Sequence, residues 1–143
     1  VPLPRSALRT ALYERLAGDD GQGLGLSESV YVSGSVPKDA SGPYVVIERP
    51  RTQGSNYIGG RERFRLRVAM RVHTRFPPGQ VDQSVADNLA ESVHDSLTGA
   101  DLSVTGYRSP VVLTPNVQPV GTYSVGEMNA YDLNLRYTFR FSN

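Results

Sequence analysis

An α+β fold is what this sequence predicts, a single domain (1–143) whose mainly antiparallel sheet carries two helices on its apolar face, and three stretches predict it. Residues 61 to 76, RERFRLRVAMRVHTRF, place Arg61, Arg63, Arg65, Arg67, Arg71 and Arg75 at odd positions, with Phe64, Leu66, Val68, Met70, Val72 and Phe76 at even ones. Residues 131 to 141 put Tyr131, Leu133, Leu135, Tyr137, Phe139 and Phe141 on one alternation, and Asp132, Asn134, Arg136, Thr138 and Arg140 on the other. Side chains of a strand alternate between faces, so both stretches are long strands with one greasy and one polar face. Between them, Val81, Val85, Leu89, Val93 and Leu97 recur every fourth residue, which is the stripe of a helix that buries one side. Amphipathic strands and helices bury their apolar faces against one another as layers.

The remaining elements follow in order along the chain. Residues 2 to 18 read as a first helix, with Pro4 in the opening turn, Leu8, Leu12 and Leu16 at four-residue spacing, and Gly18 to end it. A glycine-rich loop follows. Residues 30 to 32, VYV, form a short strand, and 43 to 49, PYVVIER, have the consecutive apolar residues of a strand covered on both faces. Residues 50 to 60 read as a flexible loop with an isolated Tyr57–Ile58 pair before the arginine-rich strand. The second helix takes 81 to 97, with Asp82, Asp87, Glu91 and Asp95 on its wet side and Gly99 closing it. Residues 106 to 114 suit a strand at a sheet edge, because Pro110 interrupts it. Residues 115 to 129 read as irregular, with a short strand within PVGTYSV.

Composition narrows the functional classes. A chain of 143 residues fits one domain with a real core, and without cysteine it has no disulfides, thiol nucleophile or cysteine-ligated zinc. The first ten residues lack the apolar run of a signal peptide, and no stretch approaches the roughly 18 to 20 apolar residues that span a bilayer. A soluble protein of a reducing cytosol, with no membrane role, fits these observations. Net charge is +1, so any electrostatic function rests on local segregation of charge. Fourteen of the fifteen basic residues are arginine, a residue suited to bidentate contacts at interfaces, although genomic composition produces the same bias.

The residues offer little chemistry of their own. The histidines are His73 and His94. His73 reads as a surface residue among arginines, and adjacent helix residues such as His94 and Asp95 point apart and form no relay. GQGLG at 21 to 25 follows a helix where a dinucleotide fingerprint would follow a strand, and Asp19–Asp20 fails the calcium-loop pattern. Nothing here asks for a cofactor or a metal, and no enzyme is expected.

The arginine face therefore needs the account. It can grip nucleic acid, meet an acidic partner, or face water. Nucleic-acid binding wants aromatics beside the basic residues, yet Phe64 and Phe76 fall on the apolar face. Glu48 and Asp132 are available as cross-strand partners.

The whole layout resembles the tail-completion or tail-terminator proteins of long-tailed phages and gene transfer particles. The resemblance runs nearly the full length: LRTALYERLAG, then VYVSGSVPKDASGPYVVIE, then RFRLRVAMRVHTR, VADNLAESVHDSL, VVLTP and YDLNLRYTFRF. It rests on the order of elements. It implies a small α+β protomer in a homo-oligomeric ring, usually six-fold, capping the tail tube at its head-proximal end. Such a ring stops tube growth, presents a surface to the head-completion or connector protein, and lets DNA pass through its lumen. The particle would be assembled in the bacterial cytoplasm. Another neck or head-completion protein of the same particle, or a nucleic-acid-binding module using residues 61 to 75, is the alternative.

A closed ring needs two different complementary patches on each protomer. Arg61, Arg63, Arg65, Arg67, Arg71 and Arg75 of one copy, against Asp87, Glu91 and Asp95 of the next, would supply them. Tyr57, Ile58, Tyr123 and Met128 add apolar character to the stretches 50 to 60 and 115 to 129. Those stretches are expected to be mobile in the free protomer and ordered on assembly, the alternative being that they fold back over their own sheet edges. The core is expected to include Leu89, with Leu89→Ala costing about 2 to 5 kcal/mol.

Overall fold

The computed structural model describes residues 5–17, 30–38, 40, 43–58, 61–97, 102, 104, 110–112 and 116–142, the side chains of 53–58, 61–64, 111 and 142 excepted. Gly18, Asp19–Asp20, the 21 to 25 glycine run, Gly99 and residues 106 to 109 lie outside the described residues. The elements run α1 (Arg5–Ala17), β1 (Val30–Val32), β2 (Tyr44–Ile47), β3 (Arg51–Ile58), β4 (Arg61–Phe76), α2 (Gln83–Leu97), β5 (Val111–Val112), β6 (Asn116–Val125) and β7 (Met128–Ser142).

The two alternating stretches form the centre of the sheet. β4 and β7 pair antiparallel from Arg63 opposite Ser142 to Phe76 opposite Asn129. That register sets Leu66 beside Phe139, Val68 beside Tyr137 and Met70 beside Leu135, so the two greasy faces become one. β2 and β3 share the outer side of β4, and β5 and β6 share the outer side of β7. β1 extends β2 as the one parallel pair among the described strands.

Both helices lie on the apolar face. Leu8, Leu12 and Leu16 of α1 are fully buried in one cluster with Val45 and Ile47 of β2 and the apolar side chains of β4 and β7. Arg15 Nε donates to the Ser96 carbonyl at 3.0 Å and ties α1 to the end of α2. Among the described residues no helix is long and apolar enough to cross a membrane.

Four expectations change. The second helix begins at Gln83 rather than Val81, because Asp82 caps it: Oδ1 accepts from the Ser84 backbone N–H at 3.0 Å, and the Ser84 hydroxyl and N–H hold that carboxyl below its usual range. Val81 is thus left exposed ahead of the helix. The buried stripe of α2 is also rotated towards Ala86, Ala90, Val93 and Leu97, which leaves Val85 and Leu89 half-buried. Leu97→Ala is therefore expected to cost about 2 to 3 kcal/mol and Leu89→Ala only about 1 kcal/mol. Equal losses in urea melts would show that the helix docks on the other stripe.

The third and fourth changes concern the two presumed loops. Residues 51–58 form β3, and 116–125 form β6, which extends the short strand expected within PVGTYSV; each is paired along its length apart from one bulge, at Thr52/Gly54 and at Pro119/Gly121. Folding back over the sheet edge is the geometry found. β6 turns into β7 through Gly126 and Glu127, with Gly126 at φ 60°, as a two-residue hairpin with glycine first requires. Neither segment alternates in the sequence; each is a strand because a long central strand offers it hydrogen bonds.

Candidate assembly surfaces

The polar face of the sheet divides into a neutralised half and an uncompensated half. The neutralised half centres on Asp132, whose side chain is fully buried, placed by the register directly opposite His73. His73 Nδ1 stands 2.7 Å from Asp132 Oδ1, and the Tyr123 hydroxyl donates to Oδ2 at 2.9 Å. Arg75 Nε donates to His73 Nε2 at 2.9 Å, so the ring is held from both sides with Nδ1 facing Asp132. Arg71 is a charge partner of Asp132, its Nε lying 2.6 Å from Oδ2 without an aligned hydrogen bond.

These contacts decide the ionisation of the group. Burial alone would raise the Asp132 pKa, but hydrogen bonds from His73 and Tyr123 and the nearby positive charge outweigh it and hold the carboxyl below its usual value. Tyr123 is pushed up to about 12, by burial first and then by its bond to Asp132. Tyr123→Phe is expected to lower stability by about 1 kcal/mol, since one hydrogen bond to a charged group is lost at a partly exposed site; no change in melting would remove Tyr123 from this cluster.

His73 is thus not a surface residue. It is 4% exposed, covered from β2 by Tyr44, whose ring centroid lies 4.8 Å away, and from β6 by Tyr123. The covering side chain from β6 sits in the short strand expected within PVGTYSV, but nothing in that stretch says that it pairs beside β7 and carries Tyr123 over His73. The parity of β4 and β7 did put His73 and Asp132 on one face, and that signal would have found the pair.

The uncompensated half carries Arg65, Arg67, Arg136 and Arg140, all exposed. The register sets Arg65 directly opposite Arg140, and Arg51 of β3 directly opposite Arg67. Among the described residues the ion pairs of this face all involve Asp132. Arg61 and Arg63 begin β4, and Tyr57 and Ile58 end β3, but their side chains lie outside the description. Arg71 meets the Asp132 carboxylate and Arg75 is bonded to His73, so the run of arginines expected as one interface splits in two. Arg51 of β3 and Arg136 and Arg140 of β7 complete the uncompensated half.

On the far side of the molecule, Asp87, Glu91 and Asp95 are exposed on the outer surface of α2. The hairpin of β6 and β7 forms a third surface: Val117 is 50% exposed, Val120 48%, and Tyr123 and Met128 37% each. Among the described residues no three histidine or acidic side chains cluster as metal ligands.

The order of elements, the central pair of long strands and the two helices on one face can be set beside known proteins. Residues 10–136 match the family described as tail completion protein gp17. The chain belongs to that family. Twenty-seven chains of solved structures also match this tail completion family member. One, from a structure titled "Virion of native gene transfer agent (GTA) particle", is 22% identical with a TM-score of 0.64, covering 94% of this chain and 96% of its own. At that identity the likeness is one of fold. No curated protein sequence matches.

Proposed function

We propose that this chain forms a closed six-fold ring at the head-proximal end of a tail tube, where it ends tube growth and joins the tail to the connector of the head. Its place is the tail of a phage or phage-like particle, its partners are the tube protein, the connector and further copies of itself, and DNA passes through the lumen. Membership of the tail completion family supports a structural role, and the fold shared with a chain of a gene transfer particle is consistent with it.

The observation that carries the ring is the placing of charge. Like charges directly opposite one another across two strands are destabilising. The protomer nonetheless keeps Arg65 opposite Arg140 and Arg51 opposite Arg67 on one outer face, and Asp87, Glu91 and Asp95 on the other. Two unlike, complementary surfaces on one protomer are what a heterologous ring contact needs. Arg140→Glu is accordingly expected to raise the stability of the isolated protomer by a few tenths of a kcal/mol and to reduce assembly. Loss of stability together with intact assembly would refute this use of the face.

Electron microscopy of particles made with and without the protein tests the reading as a whole. Tails of uncontrolled length, or tails unattached to heads, are the expected result without it; normal joined tails would end the proposal. The arginines also admit a nucleic-acid-binding reading, and filter binding separates the two. Duplex DNA is expected to bind no tighter than micromolar at physiological salt, because a strongly basic lumen would hold DNA through many phosphates and hinder its passage. Sub-micromolar binding with a steep salt slope would favour the nucleic-acid module.

A further inference from the structure

The free edges of this sheet lack one usual protection, charge along the strand. Among the described residues β3 pairs only with β4 and β6 only with β7, so each presents a row of backbone N–H and C=O groups that no strand covers. Sheet edges are commonly kept from pairing with other chains by charged side chains. Here charge is distributed the other way round. The central strand β4 has Arg61, Glu62, Arg63, Arg65, Arg67, Arg71 and Arg75, whereas residues 52–58, TQGSNYI, and 116–125, NVQPVGTYSV, have no charged residue. The β6 edge also leaves Val117 and Val120 half in solvent.

Pro119 and the two bulges limit where another strand can be added. Beyond the bulges, residues 54–58 of β3 and 121–125 of β6 remain in unbroken register with their own partners, five residues each. Three antiparallel steps separate β3 from β6, so the two edges run in opposite directions. Identically oriented copies set side by side therefore meet as antiparallel strands.

We propose that residues 121–125 of one copy pair with residues 54–58 of the next, so that the sheet continues from copy to copy around the ring. This rests on the closed ring proposed above but moves the contact between copies to the sheet edges: a continued sheet keeps the arginine face and the acidic side of α2 on opposite sides, where they are free to meet the tube or the connector. An extended strand is what satisfies an unpaired edge, and this chain carries a second such edge, equally uncharged, on its opposite side. The contact is heterologous, as a closed ring requires. β3 lines the first half of β4 while β6 lies level with its second half, so paired copies are displaced along the strands. Closing a sheet on itself demands such a stagger, with the strands tilted to the axis.

The absence of cysteine makes the test clean. Full-length chain carrying Ser55→Cys and Ser124→Cys, assembled into particles, is treated with a short bismaleimide. A ladder of covalent oligomers from the double variant, with each single variant remaining monomeric, is expected. Dimers from Ser124→Cys alone would mean a two-fold pairing of β6 with itself and overturn the proposal. No ladder in particles whose rings are visible would overturn it while leaving the ring reading standing, with the arginine face and the acidic side of α2 as the contact between copies. Particles without any ring would defeat the ring reading and this contact together. In a second arm, Thr122→Lys with Ser124→Lys supplies the missing edge charge. Its protomer is expected to melt like the parent but to assemble at least tenfold less; unchanged assembly overturns the proposal, and a shared loss of melting shifts the decision to the crosslinking arm.

Discussion

Phe139→Ala is expected to lower the stability of the protomer by about 3 to 5 kcal/mol, the range for removing a buried aromatic ring. Phe139 is fully buried on β7, opposite Leu66 on one side and Val112 on the other, with the Tyr137 ring centroid 6.3 Å away. Two strands fix its neighbours by backbone pairing, so the space it leaves cannot collapse easily. For a domain of this size each kcal/mol corresponds to roughly 3 °C in melting temperature, so a fall of roughly 10 to 15 °C should appear in a thermal scan. A loss below about 1 kcal/mol would mean that the sheet does not bury this ring.

Asp132→Ala should cost about 3 kcal/mol. Removing one member of a buried ion pair typically costs about 3 to 5 kcal/mol, because the other members are left without a partner. Here those are the His73 Nδ1–H, the Tyr123 hydroxyl and the Arg71 guanidinium. The low end applies because the Arg71 side chain is 42% exposed and can turn to water. Arg71→Ala leaves the fully buried Asp132 carboxylate without that cation and is expected to cost no less, about 3 kcal/mol. The pH dependence has a definite sign. The folded pKa of Asp132 lies below the ordinary value, so its contribution is fully present above that value and is lost as pH falls through the folded one. Stability measured across that acid window should therefore fall more steeply in the parent than in Asp132→Asn. Parallel curves would show that Asp132 is not ionised in the fold.

The candidate surfaces were legible to different degrees. The exposure of Asp87, Glu91 and Asp95 could be read from helical spacing, and that of Arg65 and Arg67 from strand alternation. The division of the arginine face could not, since the same parity holds for exposed Arg67 and for Arg71, which contacts a buried carboxylate. What separates them is the side chain across the strand: Thr138 and Arg51 beside Arg67, and the Asp132 cluster next to Arg71. The unprotected edges were equally hidden, because an edge is defined by the absence of a neighbour.

By itself the sequence determined the two long strands, their greasy and polar faces, both helices and the layered α+β arrangement. These follow from periodicity, which each segment carries within itself. Only the tertiary structure decided that 51–58 is a strand, that the short strand within PVGTYSV runs on from 116, that Leu89 stands at the margin of the core, and that His73 is buried. Glycine, proline, serine and asparagine give those two segments little preference of their own for an extended chain. They become strands because β4 and β7 present unpaired backbone groups along their outer sides, and once in place β6, with β2, closes over His73 and Asp132. A hydrogen bond offered by a distant strand leaves no mark on local periodicity.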